Sequence, residues 1–273
     1  MEEHKLGKCI LVCAGELNLE GLSLEVNPGD FCIVADGGVN YLDSLSFAFG
    51  LKPDLVVGDF DSVDTKSSLW IQELKKDCPE MVVSLPREKD DTDTMASVKL
   101  ALEKGYRDFV ILGAMGARAD HYFANIQTLL FIKRYCNEQM KGVMCYSDEQ
   151  IIGGKCLCNE QIIGDKSLCN EQMKGVNSKH KGSISIKLLD GKGETFVLEN
   201  ESIELFEEEG TIFSMFSLSD ECTVTIEGLK YEVENYKLTN SNPIGVSNEF
   251  LGCPARITVS GGAVVCFCLK CCI

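Results

Sequence analysis

Two short apolar runs, each followed closely by a cluster of acidic side chains, constrain the fold of this chain more than any other feature. Leu55 to Val57 leads into Gly58-Asp59-Phe60-Asp61-Ser62, and Met81 to Leu85 comes just before Lys89-Asp90-Asp91-Thr92-Asp93. Short apolar runs bounded by turn residues are typical of buried strands. Because the carboxyl ends of parallel strands meet at one crevice of an α/β sheet, we expect these carboxylates to converge there.

Crowded carboxylates without matching Arg or Lys side chains repel one another, and a hard divalent cation removes that repulsion. Mg²⁺ held by one or two carboxylates together with substrate phosphates is the commonest arrangement, so this stretch predicts a metal–nucleotide site. Asp59 and Asp61 are two residues apart. In an extended chain both side chains would face the same way and could share one metal ion. The alternative for this segment is a solvated acidic loop.

The first half of the chain alternates strand-like and helix-like segments. Apolar runs at 8–15, 30–38 and 107–113 are nearly continuous, which favours a parallel sheet covered on both faces. Helices are predicted at 39–49 and 67–76, after a cap at Asp91 or Thr92, and at 120–134. This alternation predicts a doubly wound α/β domain over residues 1–135.

From Ser183 onward the pattern is all β. Short alternating or apolar runs are broken by Gly, Asn and Ser, which predicts an all-β sandwich domain over residues 183–273. Between the two predicted domains, Glu-Gln recurs at 138–139, 149–150, 160–161 and 171–172. An 11-residue period occurs in right-handed coiled coils, but a glycine in every unit counts against a helix. We expect a poorly ordered insertion or linker at 136–182, with strand–turn units as the alternative.

The composition limits the partners of this chain. A formal net charge of −16 argues against broad binding to nucleic-acid phosphate. A charged start and the lack of long apolar runs predict neither a signal peptide nor a membrane helix, hence a cytoplasmic protein. The 15 cysteines are then expected to be reduced, with those in apolar runs buried. A CxxC in the tail leaves zinc as the alternative, although no second CxxC accompanies it.

Three further stretches carry candidate site residues. Asp36-Gly37-Gly38 follows an apolar run and is either a plain turn or a close approach of backbone to a ligand. Asp90 to Asp93 contains more carboxylates than a helix cap requires. Gly113 to His121 offers small residues, a helix start and Arg118, which suit phosphate; His121 is interpreted as a helix-start residue rather than a base. The P-loop motif is absent from the sequence, so a P-loop enzyme is excluded.

These motifs together resemble the thiamine pyrophosphokinase (thiamine diphosphokinase) family. The match is in order and spacing, covers about residues 8–135 and 183–269, and rests on six motifs. They are Asp36-Gly37-Gly38, Pro53 to Ser62, Lys89 to Asp93, Gly113 to His121, Gly228-Leu229-Lys230-Tyr231 and Val246-Ser247-Asn248-Glu249. Two positions depart from the family pattern: Ala117 stands where glycine is usual, and Tyr231 where some relatives have tryptophan.

The resemblance implies transfer of a pyrophosphoryl group from ATP to thiamine, giving thiamine diphosphate and AMP. It implies Mg²⁺ on Asp59, Asp61 and Asp93, with Asp36 nearby, and a homodimer whose active site lies at the subunit interface. Catalytic roles would fall on the three Mg²⁺ ligands together with Arg118 and Asp120. Nucleotide and substrate binding would fall on Asp36, Gly37, Lys89, Thr92, Gly116, Tyr231, Ser247 and Asn248. Two alternatives stay open: a pyrophosphokinase for another hydroxylated heterocycle, such as a pterin, and a thiamine- or nucleotide-binding protein without turnover.

Overall fold

A computed structural model describes residues 6–88, 90–116, 118–140 and 184–270 of the chain. Residues 141–183, which contain most of the 11-residue repeats, lie outside the described residues, as do Met1 to Lys5, Lys89, Ala117 and Cys271 to Ile273. The start of the predicted insertion is different from expectation: residues 136–140, including the first Glu-Gln pair, continue the preceding helix. Within the described ranges, no helix is both long enough and apolar enough to cross a membrane.

A parallel sheet forms the centre of the first half. Its strands run in the order β5-β1-β2-β3-β4, and all neighbours are parallel. Strands β1, β2, β3 and β5 are almost entirely buried, which agrees with the continuous apolar runs that predicted them. The bounds are β1 Cys9–Val12, β2 Phe31–Ala35, β3 Leu55–Gly58, β4 Val82–Ser84 and β5 Phe109–Leu112.

Helices cover both faces of this sheet. Alternate residues of β1 belong to different cores: Leu11 to one, Ile10 to the other. Val98, Leu102 and Leu129 of the third and fourth α-helices complete the first core; Leu45 and Ile71 of the first and second complete the other. The doubly wound α/β prediction is therefore confirmed. The α-helices are α1 Leu42–Phe49, α2 Thr65–Asp77, α3 Asp93–Glu103 and α4 Ala119–Met140; the 3₁₀ helices are Asp36–Tyr41 and Pro79–Met81.

The helix predicted at 39–49 is split in two. Residues Asp36–Tyr41 form a 3₁₀ helix, and α1 begins at Leu42. The 3₁₀ helix packs closely on the end of β1, since a Cβ at Gly38 would lie 2.3 Å from the carbonyl oxygen of Val12. The predicted end is correct: Gly50 has a φ of 68° and terminates α1.

The sheet does not stop at the end of the parallel strands. Strand β6 (Ile186–Asp190) pairs in parallel with β5, so that Ile186 lies opposite Phe109. Antiparallel strands then extend the sheet in the order β12-β9-β14-β7-β6, giving ten strands in all. These strands are β7 Gly193–Glu199, β9 Ile212–Ser217, β12 Asn248–Glu249 and β14 Ala263–Leu269. The proposed division at residues 135 and 183 therefore separates segments that share one hydrogen-bonded sheet.

A second, four-stranded antiparallel sheet packs against the antiparallel part of the first. Its order is β11-β10-β13-β8. Phe196, Phe213 and Cys266 from the large sheet share a buried core with Val224 and Ile257 from the small one. This arrangement confirms the predicted β sandwich. The strands are β8 Ser202–Leu205, β10 Glu221–Glu227, β11 Val233–Thr239 and β13 Ala255–Ser260.

Side chains also join the two halves. Leu188 of β6 and Val197 of β7 belong to the core that α3 and α4 cover. The hydroxyl of Tyr122 on α4 lies 3.0 Å from the hydroxyl of Thr195 on β7, and Thr195 Oγ1 donates to Met115 Sδ at 3.4 Å. The structure therefore packs the sandwich onto the α/β layer through apolar and polar contacts.

The cysteines of the described segments are free thiols, and most are buried. Burial raises the pKa of both Cys13 and Cys32 to about 12. Cys266 and Cys268, which precede the tail CxxC cysteine Cys271, are buried in β14. Among the described residues these thiols pack as small apolar side chains, as the sequence predicted.

The shared core makes a testable prediction about Leu188. We expect Leu188→Ala to lower the free energy of unfolding by about 2–5 kcal/mol, because the side chain is fully buried. Trp70 on α2 is the single tryptophan, so its fluorescence reports the first half alone. The Trp70 transition should move to lower urea in Leu188→Ala and stay in place in the control Leu6→Ala, whose side chain is exposed. An unmoved Trp70 transition in Leu188→Ala would contradict a shared core.

Candidate functional site

Three carboxylates meet at the carboxyl edge of the parallel sheet. Asp36 follows β2 directly, and Asp59 and Asp61 follow β3. One carboxylate oxygen from each side chain lies within 4.8 Å of the other two. Since β2 and β3 are neighbouring parallel strands, their ends place these residues at one point of the edge, as the sequence predicted.

Asp36 is the most constrained of the three. Its side chain is 9% exposed, and its φ of 46° is unusual for a residue other than glycine. The hydroxyl of Ser62 donates a hydrogen bond to Asp36 Oδ2. Asp36 Oδ1 is buried and has no hydrogen-bond partner among the described residues. A buried carboxylate oxygen without a partner is rare in folded proteins and calls for a ligand.

Two glycines allow the loops after β2 and β3 to approach this closely. A Cβ at Gly58 would lie 3.0 Å from Asp36 Cα, and one at Gly37 would lie 2.8 Å from Ser62 Oγ. Neither position leaves room for a side chain without moving the carboxylates. The glycines of both motifs therefore allow the acidic side chains to lie this close together.

The segment from Asp59 to Asp61 is a turn, and the extended conformation expected from its sequence is wrong. Phe60 has a φ of 63°, and the backbone N–H of Asp61 donates to Asp59 Oδ1 at 3.2 Å. The ring of Phe60 lies 4.8 Å from Lys75 Nζ of α2. The turn still brings both carboxylates to the same site, as expected.

Asp93 lies at the start of α3, at the same edge of the sheet. Thr92 caps this helix by accepting a hydrogen bond from the N–H of Met95 at 3.1 Å, as predicted. The contact between Thr94 Oγ1 and Cys13 Sγ, at 3.4 Å, places the start of α3 at the end of β1. Among the described residues, the carboxylates that lie within 4.8 Å of one another belong to Asp36, Asp59 and Asp61. The resemblance named Asp93, and not Asp36, as the third ligand. A role for Asp93 in metal binding stays a prediction.

The loop from Gly113 to Arg118 connects β5 to α4 and is held by main-chain contacts. The N–H of Gly15 donates to the carbonyl oxygen of Gly113 at 2.8 Å, and Asn125 Nδ2 donates to that of Ala114 at 2.8 Å. Gly116, the predicted phosphate-loop glycine, approaches Glu16 so closely that a Cβ would lie 2.9 Å from that side chain. The loop is therefore fixed at the same sheet edge, beside the first turn of α4.

Arg118 and Asp120 form an exposed pair at the start of α4. The guanidinium donates from Nη2 to Oδ2 at 2.7 Å and from Nε to Oδ1 at 3.3 Å. The hydrogen bond with Asp120 raises the pKa of Arg118 and lowers the pKa of Asp120. His121 is exposed on the first helical turn, in agreement with the interpretation as a helix-start residue.

The sandwich contains a second candidate site, an apolar cavity of about 170 Å³. Tyr231 and Asn248, which the family resemblance assigns to the thiamine site, line it. The side chain of Asn248 accepts from the N–H of Tyr231 at 2.9 Å and donates to its carbonyl oxygen at 2.8 Å. Ser247 has a φ of 58° and its N–H donates to Ser214 Oγ at 3.0 Å, but its side chain is not part of the lining.

The sequence reasoning missed the apolar lining of this cavity. Ile244 lies two residues before the motif Val246 to Glu249, and neither Ile244 nor Val246 was assigned to the site, although the two residues are 55% and 53% exposed. Two apolar side chains in a loop beside polar site residues were a usable signal. The other residues of the lining come from β9, β10 and β11: Phe213, Met215, Val224, Ile226, Val233, Tyr236 and Leu238.

The acidic group and the cavity lie far apart in one chain. Along the order β9-β14-β7-β6-β5-β1-β2-β3, seven spacings separate the strand that lines the cavity from the strand that carries Asp59. At about 4.8 Å per spacing this is roughly 30 Å along the sheet.

Comparisons with known proteins agree with both sites. A family model for the catalytic domain of thiamin pyrophosphokinase matches residues 23–140, and one for its vitamin B1 binding domain matches residues 200–264. The first range includes the acidic group and the loop between β5 and α4, and the second includes the cavity lining. Together the two models match more than half of the chain.

Individual relatives are distant but span almost the whole chain. Thiamine pyrophosphokinase from Bacillus subtilis (strain 168) is 24% identical over 234 residues, covering 85% of this chain and 83% of that protein. The crystal structure of thiamin pyrophosphokinase from Geobacillus thermodenitrificans has a TM-score of 0.66 at 20% identity, covering 98% of this chain and all of the other. Yeast thiamin pyrophosphokinase has a TM-score of 0.61 at 11% identity, covering 98% and 88%. These structures share the fold described above, and on the two family models this chain belongs to the thiamine pyrophosphokinase family.

Proposed function

We propose that this chain transfers a pyrophosphoryl group from ATP to the hydroxyethyl oxygen of thiamine, releasing AMP, in the cytoplasm. The observation that carries the proposal is the group of Asp36, Asp59 and Asp61 in a chain that also matches a vitamin B1 binding domain. Three converging carboxylates provide a cation site, and the sandwich provides a site for the vitamin.

The acidic group fits Mg²⁺. Its donors are all carboxylate oxygens, which hard cations prefer, and the buried Oδ1 of Asp36 has no other partner among the described residues. Asp36, Asp59 and Asp61 would hold the ion, with Asp93 at the same edge as a further ligand. The ion would neutralise charge on the triphosphate and polarise its oxygens.

The loop before α4 and the first turn of that helix supply the positive charge of the site. Backbone N–H groups in the first turn of α4 carry a positive partial charge that suits a phosphate group. Arg118 brings a guanidinium to the same point, and Asp120 fixes its orientation by two hydrogen bonds. These groups would position the triphosphate so that the thiamine oxygen attacks in line with the departing AMP.

The cavity in the sandwich suits the acceptor. Thiamine combines a flat pyrimidine ring with a cationic thiazolium ring. The apolar cavity suits the first, and the ring of Tyr231, which is 62% exposed beside it, suits the second through a cation–π contact. The two hydrogen bonds from Asn248 to the backbone of Tyr231 would hold that ring in place.

The distance between the two sites favours a homodimer. Roughly 30 Å along the sheet is too long for thiamine held in the cavity to reach the acidic group of the same chain. A second copy can bring its cavity to the acidic group of the first, which gives two shared sites by two-fold symmetry. The exposed apolar side chains of the cavity lining, Tyr231, Ile244 and Val246, would then be covered.

Two other functions have less support. A pyrophosphokinase for another hydroxylated heterocycle would keep the acidic group and change the cavity, but the vitamin B1 binding match favours thiamine. A thiamine-binding protein without turnover would have no use for three converging carboxylates. Replacing thiamine with pterin alcohols in the assay below separates these alternatives.

The first prediction concerns the reaction and its acidic group. Protein mixed with ATP, Mg²⁺ and thiamine should yield AMP and thiamine diphosphate, detected by mass. We expect Asp61→Asn to lower kcat/KM by at least about 100-fold, because it removes a charged ligand, while the circular dichroism spectrum is unchanged. Asp43→Asn, which removes an exposed carboxylate on α1, is the matched control and should keep wild-type activity. Failure of the wild type to form AMP would refute the proposed function.

The second prediction concerns Tyr231. We expect Tyr231→Ala to raise the KM for thiamine roughly 3- to 30-fold, because the cation–π contact is lost, while Tyr231→Phe keeps the ring and the KM. Phe47→Ala removes an aromatic side chain that is 95% exposed on α1 and serves as the control. A KM for thiamine that is the same in Tyr231→Ala and wild type would exclude the cavity as the thiamine site.

The third prediction tests the shared site. Asp61→Asn and Tyr231→Ala subunits, co-refolded in equal amounts and assayed at low thiamine, should recover activity. Random pairing makes half of the dimers mixed, and each mixed dimer holds one site with both native residues, so about a quarter of wild-type activity is expected. No recovery in a mixture that sediments as dimers would show that each site is formed within one chain.

A further inference from the structure

Ser62 follows the two aspartates of the loop after β3 and contacts the aspartate of the neighbouring loop. We propose that Ser62 is a positioning residue, whose hydroxyl fixes the carboxylate of Asp36 so that its second oxygen is presented to a divalent cation. The inference rests on the proposed function in taking the cation to be the one that accompanies ATP. Its test below measures cation binding directly and does not depend on thiamine.

The first support is that the two carboxylate oxygens of Asp36 have different surroundings. Oδ2 accepts the hydrogen bond from Ser62 Oγ. Oδ1 is buried without a hydrogen-bond partner among the described residues, in a side chain that is 9% exposed. The bond to Ser62 fixes the plane of the carboxylate and occupies one of its two equivalent oxygens, so the other oxygen remains for the cation. A buried oxygen left without a partner is unfavourable, and a cation shared with Asp59 and Asp61 would satisfy it.

The second support is the space made for this hydrogen bond. A Cβ at Gly37 would lie 2.8 Å from Ser62 Oγ and 3.1 Å from the carbonyl oxygen of Ser62. A Cβ at Gly58 would lie 3.0 Å from Asp36 Cα. Glycines on both loops therefore leave the space in which the serine reaches the aspartate.

The loop itself does not depend on the hydroxyl. Asn40 Oδ1 accepts from the N–H of Asp64 at 3.1 Å, and Asn40 Nδ2 donates to the carbonyl oxygen of Ser62 at 3.5 Å. Asp64 then caps α2 by accepting from the N–H of Ser67 at 2.7 Å. Within the described part of the chain, the side chain of Ser62 bonds to Asp36 alone, so its removal acts on the carboxylate rather than on the loop.

Cation binding by the intact protein tests this role. Mn²⁺, used as the probe, is titrated into protein while the free ion is followed by electron paramagnetic resonance. We expect Ser62→Ala to weaken Mn²⁺ binding roughly 10- to 100-fold, the usual cost of removing a group that orients a metal ligand. Ser62→Thr keeps a hydroxyl and should restore the affinity. Ser44→Ala removes an exposed serine hydroxyl from α1 and should leave the affinity unchanged.

Kinetics give a second, independent measurement. In assays of AMP release, Ser62→Ala should need a higher Mg²⁺ concentration for half-maximal rate and approach the wild-type kcat at saturating Mg²⁺, because the ligand is misplaced and not removed. A loss of kcat that saturating Mg²⁺ does not restore would overturn the positioning role. If Ser62→Ala does not fold, Ser62→Cys replaces it, since a thiol of similar size is a weaker donor.

The outcomes separate this inference from the proposed function. Equal Mn²⁺ affinity in wild type and Ser62→Ala, or in wild type and Ser62→Cys, overturns the inference even if AMP is formed. AMP release by a wild-type protein that binds no Mn²⁺, with or without ATP, also overturns it. Weakened Mn²⁺ binding in Ser62→Ala, restored in Ser62→Thr, supports the inference even if thiamine is not the acceptor.

Discussion

The mutual repulsion of three carboxylates held within 4.8 Å of one another is the constraint on which the candidate site depends. Like charges at this distance separate unless the backbone or a counter-ion prevents it. Here the backbone supplies the restraint: β2 and β3 end side by side, and Gly37 and Gly58 let the following loops touch. The backbone therefore holds the three carboxylates together, in keeping with the storage of backbone strain at functional sites. Asp36 and Phe60 carry this strain, because both have a positive φ.

The continuous ten-stranded sheet restricts how the sandwich and the α/β layer of one chain can move relative to each other. Pairing of β6 with β5 fixes the sandwich to the α/β layer, and the buried side chains of Leu188 and Val197 add apolar contact. A hinge that brings cavity and acidic group together within one chain would have to break this pairing. The pairing of β5 with β6 therefore argues against closure of the two parts within one chain.

The sequence was sufficient for the elements with strong local signals. Continuous apolar runs predicted β1, β2, β3 and β5, and Thr92 and Gly50 predicted helix ends. Asp36 was expected near Asp59 and Asp61 but not as a third member of the carboxylate group, because the sequence does not reveal its contact with Ser62 across 26 residues. The pairing of β6 with β5 was also missed: the run at Ile186 indicates a strand but not its neighbour, and a long segment separates the two strands. Local patterns reveal elements, whereas contacts between distant loops decide which side chains meet.

The loop between β5 and α4 shows how the α/β layer and the sandwich depend on each other within one chain. Met115 lies in that loop, and its sulfur accepts from Thr195 of β7, which also contacts the hydroxyl of Tyr122 on α4. Thr195 is fully buried, so a polar group there without these partners would be unfavourable. The network therefore ties the loop beside Arg118 to a strand of the sandwich. Packing of the sandwich thus contributes to the geometry of the loop between β5 and α4.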